Sequence, residues 1–236
     1  MKKILTTALA MVAGMAIVQA QGLVKVYSVS PTFSMFTNTG ISAFQGGTQL
    51  GGVSGKTAAS SSGSTYYYQL LLAPMSSTVT SSSLSGWYAP AGFGLATNFG
   101  SAGSIAGPGG NNGASAATWA NGGASATSDT QGTELQFMLV GWSASIGNSW
   151  STVANEMTSG VFSADGFLGT SSVGFGYSGG GGTPATPGAS IFGVSASMPG
   201  GLGSGFNLYF VTVPEPGTLA LMALGSASLL LFRRKK

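Results

Sequence analysis

The sequence predicts a mostly β fold: an antiparallel β-sandwich or jelly-roll-like body with long Gly/Ser-rich loops. Three observations lead there. Short segments rich in β-branched and aromatic residues recur between clusters of Gly, Ser, Pro and Asn. Glycine supplies 40 of 236 residues, yet 43% of the chain is hydrophobic, enough apolar surface for an ordered core rather than a disordered low-complexity chain. One stretch alone shows helical spacing within the body.

Residues 23–29 alternate imperfectly and read as a first strand. Residues 66–72 are aromatic and apolar, and Pro74 ends them. Residues 134–142 carry the clearest strand pattern, and 190–196 and 206–213 supply two more. The expected helix begins at Trp150, where Trp150, Val153 and Met157 fall on one face. The connections are rich in Gly, Ser and Ala, notably 100–123, with Asn111-Asn112-Gly113, and 179–188, with Pro184 and Pro187. No repeat period appears, so a solenoid is not expected.

Charge and composition exclude several function classes. Between residues 21 and 213 there are two bases, Lys25 and Lys56, against four acids, Asp129, Glu134, Glu156 and Asp165, a net of −2. Nucleic-acid binding needs a basic face, and none is available. The chain has neither Cys nor His. Thiolate nucleophiles, zinc–sulfur sites and Ser-His-Asp or Cys-His arrangements are therefore impossible.

The remaining motifs favour plain readings. Gly55-Lys56-Thr57 has Leu50 where a phosphate loop needs glycine, so a surface loop is expected. The G-x-G-x-x-G at Gly174, Gly176 and Gly179 runs into further glycines that hold no helix, so a β-segment entering a loop is expected. The four body carboxylates offer glycoside hydrolysis or Ca²⁺ binding only if the fold gathers them. Tyr66, Tyr67, Tyr68, Trp87, Tyr88, Trp119, Trp142 and Trp150 fit a sugar-stacking platform or, more simply, a core. No catalytic residue, metal site or cofactor is expected.

The two ends are more specific. Lys2-Lys3, an uncharged run over 4–18 and the small residues Val18 and Ala20 form a signal peptide over residues 1–20, cleaved between Ala20 and Gln21. Signal peptidase and the Sec machinery are the implied partners. Residues 21–213 form the exported domain. The tail, 214–236, has three parts: Pro214-Glu215-Pro216, an apolar run over 218–232, and Arg233, Arg234, Lys235 and Lys236. As a transmembrane helix the run rises about 22 Å at ~1.5 Å per residue. That is short of a ~30 Å hydrocarbon core, a gap that snorkelling Arg and Lys close. The basic cluster acts as a stop-transfer signal and keeps the terminus cytoplasmic.

Pro214-Glu215-Pro216, the apolar run 219–232 and the basic cluster 233–236 resemble the PEP-CTERM sorting signal of Gram-negative bacteria. The resemblance covers about a tenth of the chain. It implies recognition by an exosortase, a membrane cysteine protease-transpeptidase, after transient anchoring in the inner membrane, then delivery to the cell surface or extracellular matrix. The expected function is non-catalytic, structural or adhesive, with exopolysaccharide as a partner of the delivered body. The alternatives are a secreted carbohydrate-binding β-sandwich module and an Asp/Glu-dependent glycoside hydrolase.

Overall fold

The computed structural model describes residues 24–28, 30–59, 65–90, 94–107, 134–177 and 189–213. The expected signal helix over 1–20 and the transmembrane helix over 219–232 lie outside these residues. Among the described residues no helix is long and apolar enough to cross a membrane.

The described body is mostly β. Its strands are β1 (Val24–Lys25), β2 (Phe36–Ile41), β3 (Val53–Lys56), β4 (Tyr66–Pro74), β5 (Ala96–Asn98), β6 (Ile105–Ala106), β7 (Glu134–Ser143), β8 (Gly166–Thr170), β9 (Gly174–Tyr177), β10 (Ala189–Ser190) and β11 (Asn207–Val211). One α-helix, α1 (Trp150–Ser159), lies between β7 and β8. Nine strands make one curled sheet in the order β3-β2-β11-β8-β7-β4-β5-β6, with β9 beside β8 on the same flank of β7. β1 and β10 form a separate parallel pair.

Two sequence expectations change here. The main sheet is mixed, because β11 pairs β2 in parallel and β8 antiparallel. Apolar patterning reports burial and not strand direction, so a parallel pair is invisible to it. The layering also differs from two packed sheets. Buried side chains of β4 alternate between two clusters: Tyr66, Tyr68, Leu70 and Leu72 on one face, Leu71 on the other. β7 does the same, with Leu135, Phe137 and Leu139 opposed to Met138, Val140 and Trp142. The first cluster also takes in Val24, Val26, Met35, Ile191, Met198 and Leu202. The second is capped by Val153 and Met157 of α1, with Ile146 and Phe162.

Burial on both faces explains why β4 and β7 read as nearly unbroken apolar runs. They pair over their whole length, from Tyr66 opposite Ser143 to Pro74 opposite Leu135. Each fully buried Leu, Phe or Met is worth about 1.5–3 kcal/mol, so this pair dominates the stability of the body. Around it the ladder is completed by side chains. Between β8 and β9 the pairing to β7 breaks, and Ser171 bridges the break. Its N–H donates to the Leu139 carbonyl at 2.8 Å, and its Oγ accepts from the Leu139 N–H at 3.0 Å.

The expected helix forms, capped by Ser149, whose side chain accepts from the Thr152 N–H, and closed by Gly160 at φ 70°. The expected strand over 23–29 shrinks to β1, and that over 190–196 to the last residue of β10 followed by turns and isolated bridges.

Candidate functional site

The candidate site is the point where the chain leaves the body toward Pro214. β11 is an interior strand, so its end has neighbours on both sides. On the β8 side, Val211 pairs with Gly166. On the β2 side, the Ser42 N–H donates to the Phe210 carbonyl at 2.9 Å. Beyond Val211 no backbone partner among the described residues continues the ladder, and two side chains take over. The Gln45 amide faces Thr212 as a surrogate strand: Nε2 donates to the Thr212 carbonyl at 2.6 Å, and Oε1 accepts from the Thr212 N–H at 2.9 Å. On the opposite flank, Asp165 Oδ1 accepts from the Val213 N–H at 2.7 Å. Gln45 is held by a one-turn 3-10 helix, Ala43–Gln45, closed by Gly46 at φ 71°. Asp165 is the residue just before β8. The exit is thus pinned through Val213, one residue before Pro214, which has no N–H with which to prolong the pairing.

Beside this exit lies a cavity of about 390 Å³, lined by Tyr66, Ser143, Ser145, Asp165, Phe167 and Phe210 among others. Asp165 is its one carboxylate, and that group already accepts from Val213. A second groove of about 510 Å³ runs between Phe44, Met157 and residues 82–85. Its lining is hydroxyl and apolar, with no titratable group.

The structure does not gather the other singled-out residues into a centre. Glu134 opens β7. Glu156 sits on α1, where Oε1 accepts from the Ser163 N–H at 3.1 Å and from its hydroxyl at 2.5 Å. Asp129 lies outside the described residues, and among the described residues no three metal-ligating side chains cluster. The aromatics go largely inward. Trp142 and Tyr68 are fully buried, and Trp142 stands 6.0 Å from both Tyr67 and Trp150. Trp87 and Trp150 are partly buried against the helix-side cluster, and Trp119 lies outside the described residues.

Gly55-Lys56-Thr57 is not the expected loop. Gly55 and Lys56 end β3, while Thr57 is buried and its Oγ1 meets the Tyr68 hydroxyl at 3.4 Å. Gly174 to Tyr177 form β9, as the β-segment reading expected. Pro214, Glu215, Pro216 and the basic residues Arg233, Arg234, Lys235 and Lys236 lie outside the described residues, as do Ala20 and Gln21. Sequence reasoning found the motif and named Asp165 as a carboxylate, but missed Gln45 and the role of both residues at the exit. Neither carries a local signal, because their partners lie 167 and 48 residues away.

Residues 212–235 match the PEP-CTERM protein-sorting motif. The match begins inside the pinned exit, since Thr212 and Val213 are at once its first residues and the last of the described body. The motif implies an exosortase as processing partner. No curated protein and no solved structure matches the chain.

Proposed function

We propose that this chain is an exported protein sorted by an exosortase, delivering a non-catalytic structural or adhesive β body to the cell surface or extracellular matrix. The observation that carries the reading is the sorting-motif match over 212–235, falling on the Pro-Glu-Pro, apolar and basic parts read from the sequence. In this account the signal peptide is removed between Ala20 and Gln21. The apolar run then stops in the inner membrane, with Arg233, Arg234, Lys235 and Lys236 held inside by their charge. Pro214 and Pro216 keep the site extended, because fixed φ angles block helix and strand.

Two of the four body carboxylates serve local structure, which favours the structural reading. Glu156 stitches α1 to the loop after it, and Asp165 pins the exit. Two-carboxylate glycoside hydrolysis needs a facing pair about 5–9.5 Å apart across a cleft, whereas one oxygen of Glu156 and one of Asp165 are already engaged in these local contacts.

Fractionation with an antibody against the body tests the sorting step. Replacing Pro214, Glu215 and Pro216 together by Ala leaves the apolar run intact, so this variant accumulates uncut in the membrane fraction. Deleting residues 219–236 removes the anchor, so that body passes unsorted to the periplasm or medium. Processing of the triple-Ala variant at the parent's rate contradicts the assignment.

A further inference from the structure

We infer that Gln45 and Asp165 form a clamp that holds the folded body against the sorting site and must open before the site is cut. The inference rests on the exosortase reading above. The exit is held by three hydrogen bonds from two side chains, two at Thr212 and one at Val213. These bonds occupy the polar backbone groups just N-terminal to Pro214. An enzyme that takes an extended substrate around Pro214-Glu215-Pro216 needs those same groups free, or at least unobstructed.

The reach of the chain sharpens the conflict. From Val213 to the start of the apolar run at Thr218 there are five residues, which span at most ~17 Å at ~3.4 Å each. A folded body pinned at Val213 therefore stands within that distance of the bilayer, against the side of any enzyme embedded there. Releasing Thr212 and Val213 lengthens the free chain by two residues, to at most ~24 Å from Val211. Opening need not unfold the sheet, because among the described residues the backbone ladder stops at Val211 and the hydrogen bonds at Thr212 and Val213 come from side chains. Segments held this way occupy the low-stability end of a structure and open locally.

Gln45 and Asp165 are positioning residues: they touch the substrate segment of this chain and set how far the body stands from the cut. Loss of one net hydrogen bond raises the open population about fivefold. When opening is fast relative to cleavage, the processing rate follows that population. Gln45→Ala removes two bonds and Asp165→Ala one, so Gln45→Ala has the larger effect.

The test is a pulse–chase of the full-length chain in cells carrying the exosortase, following conversion of the uncut to the cut form. Asp165→Ala is expected to be processed about fivefold faster than the parent, and Gln45→Ala faster still. Gln45→Glu keeps the acceptor for Thr212 but loses the donor, and falls between Gln45→Ala and the parent. A six-residue Gly/Ser insertion between Val213 and Pro214 supplies reach without touching the clamp. It speeds processing by itself, and the clamp substitutions then add nothing to it. A merely destabilised body does not give that non-additivity. Clamp variants processed at or below the parent's rate overturn the inference, as does acceleration that persists in full on the insertion background. The triple-Ala variant at 214–216 runs alongside. If it is cut as fast as the parent, the sorting reading itself has failed. If it stays uncut while the clamp variants match the parent, only the clamp has failed.

Discussion

Tyr68 takes the core role rather than the sugar-stacking one. Its ring is fully buried in the first cluster, edge-on to Phe206 at 6.4 Å, and its hydroxyl meets Thr57. Burial pushes its phenol pKa well above the ordinary value near 10, and burial raises that of Tyr66 in the same direction. The folded chain therefore keeps protons that the unfolded chain releases. The stability contributed by the neutral phenols is full below pH 10 and is lost progressively as pH rises beyond it. Denaturation midpoints measured from pH 8 to about 11.5 should be flat at first and then fall. Tyr68→Phe should lose part of that alkaline fall, with Tyr66 supplying the remainder. An unchanged alkaline slope in Tyr68→Phe would mean that the phenol titrates freely and is not held in the core. The inward orientation of Tyr68 and Trp142, and the packing of Trp87 and Trp150 against the helix-side cluster, agree with the core role that the sequence favoured over a sugar platform. A ring that stacks on a sugar and a ring that fills a core are the same residue until the neighbours are known.

Among the elements, β4 and β7 were legible because burial on both faces writes a continuous apolar run. β2 and β8 were not. β2 reads Phe-Thr-Asn-Thr-Gly-Ile and β8 reads Gly-Phe-Leu-Gly-Thr, compositions that suit loops when taken alone. They are strands because β11 lies between them, and that pairing joins segments far apart in sequence. Glycine misled for the same reason. Gly169 sits inside β8, where a Cβ would collide with the backbone carbonyl of Asn207 at the start of β11. That close approach, rather than a turn, is what requires glycine there. Gly169→Ala should therefore cost about 1–3 kcal/mol, read as a lower urea midpoint with an unchanged slope. Gly203→Ala is the control, since nothing lies within 4 Å of the added carbon. Equal midpoints for the two variants would contradict the packing of β8 on β11.

The whole molecule joins a folded body to a sorting tail across a few residues. Its last strand lies between β2 and β8 within the main sheet, so the segment entering the tail is fixed by contacts from distant parts of the chain. The sorting motif was legible because order and spacing carry it within one short stretch. The clamp was not, because Gln45 and Asp165 gain their roles only when the sheet brings them to Thr212 and Val213. On the proposed reading, this arrangement ties delivery to folding: a body that reaches the surface would have formed β11 and then released its exit. The intact mass of the delivered protein, recovered from the cell surface or medium, tests the link between folding and sorting most directly. The expected product is a chain that starts at Gln21, retains the body through Val213, and lacks the apolar run and Arg233, Arg234, Lys235 and Lys236. A delivered form whose mass includes the basic C-terminus through Lys236 would contradict it.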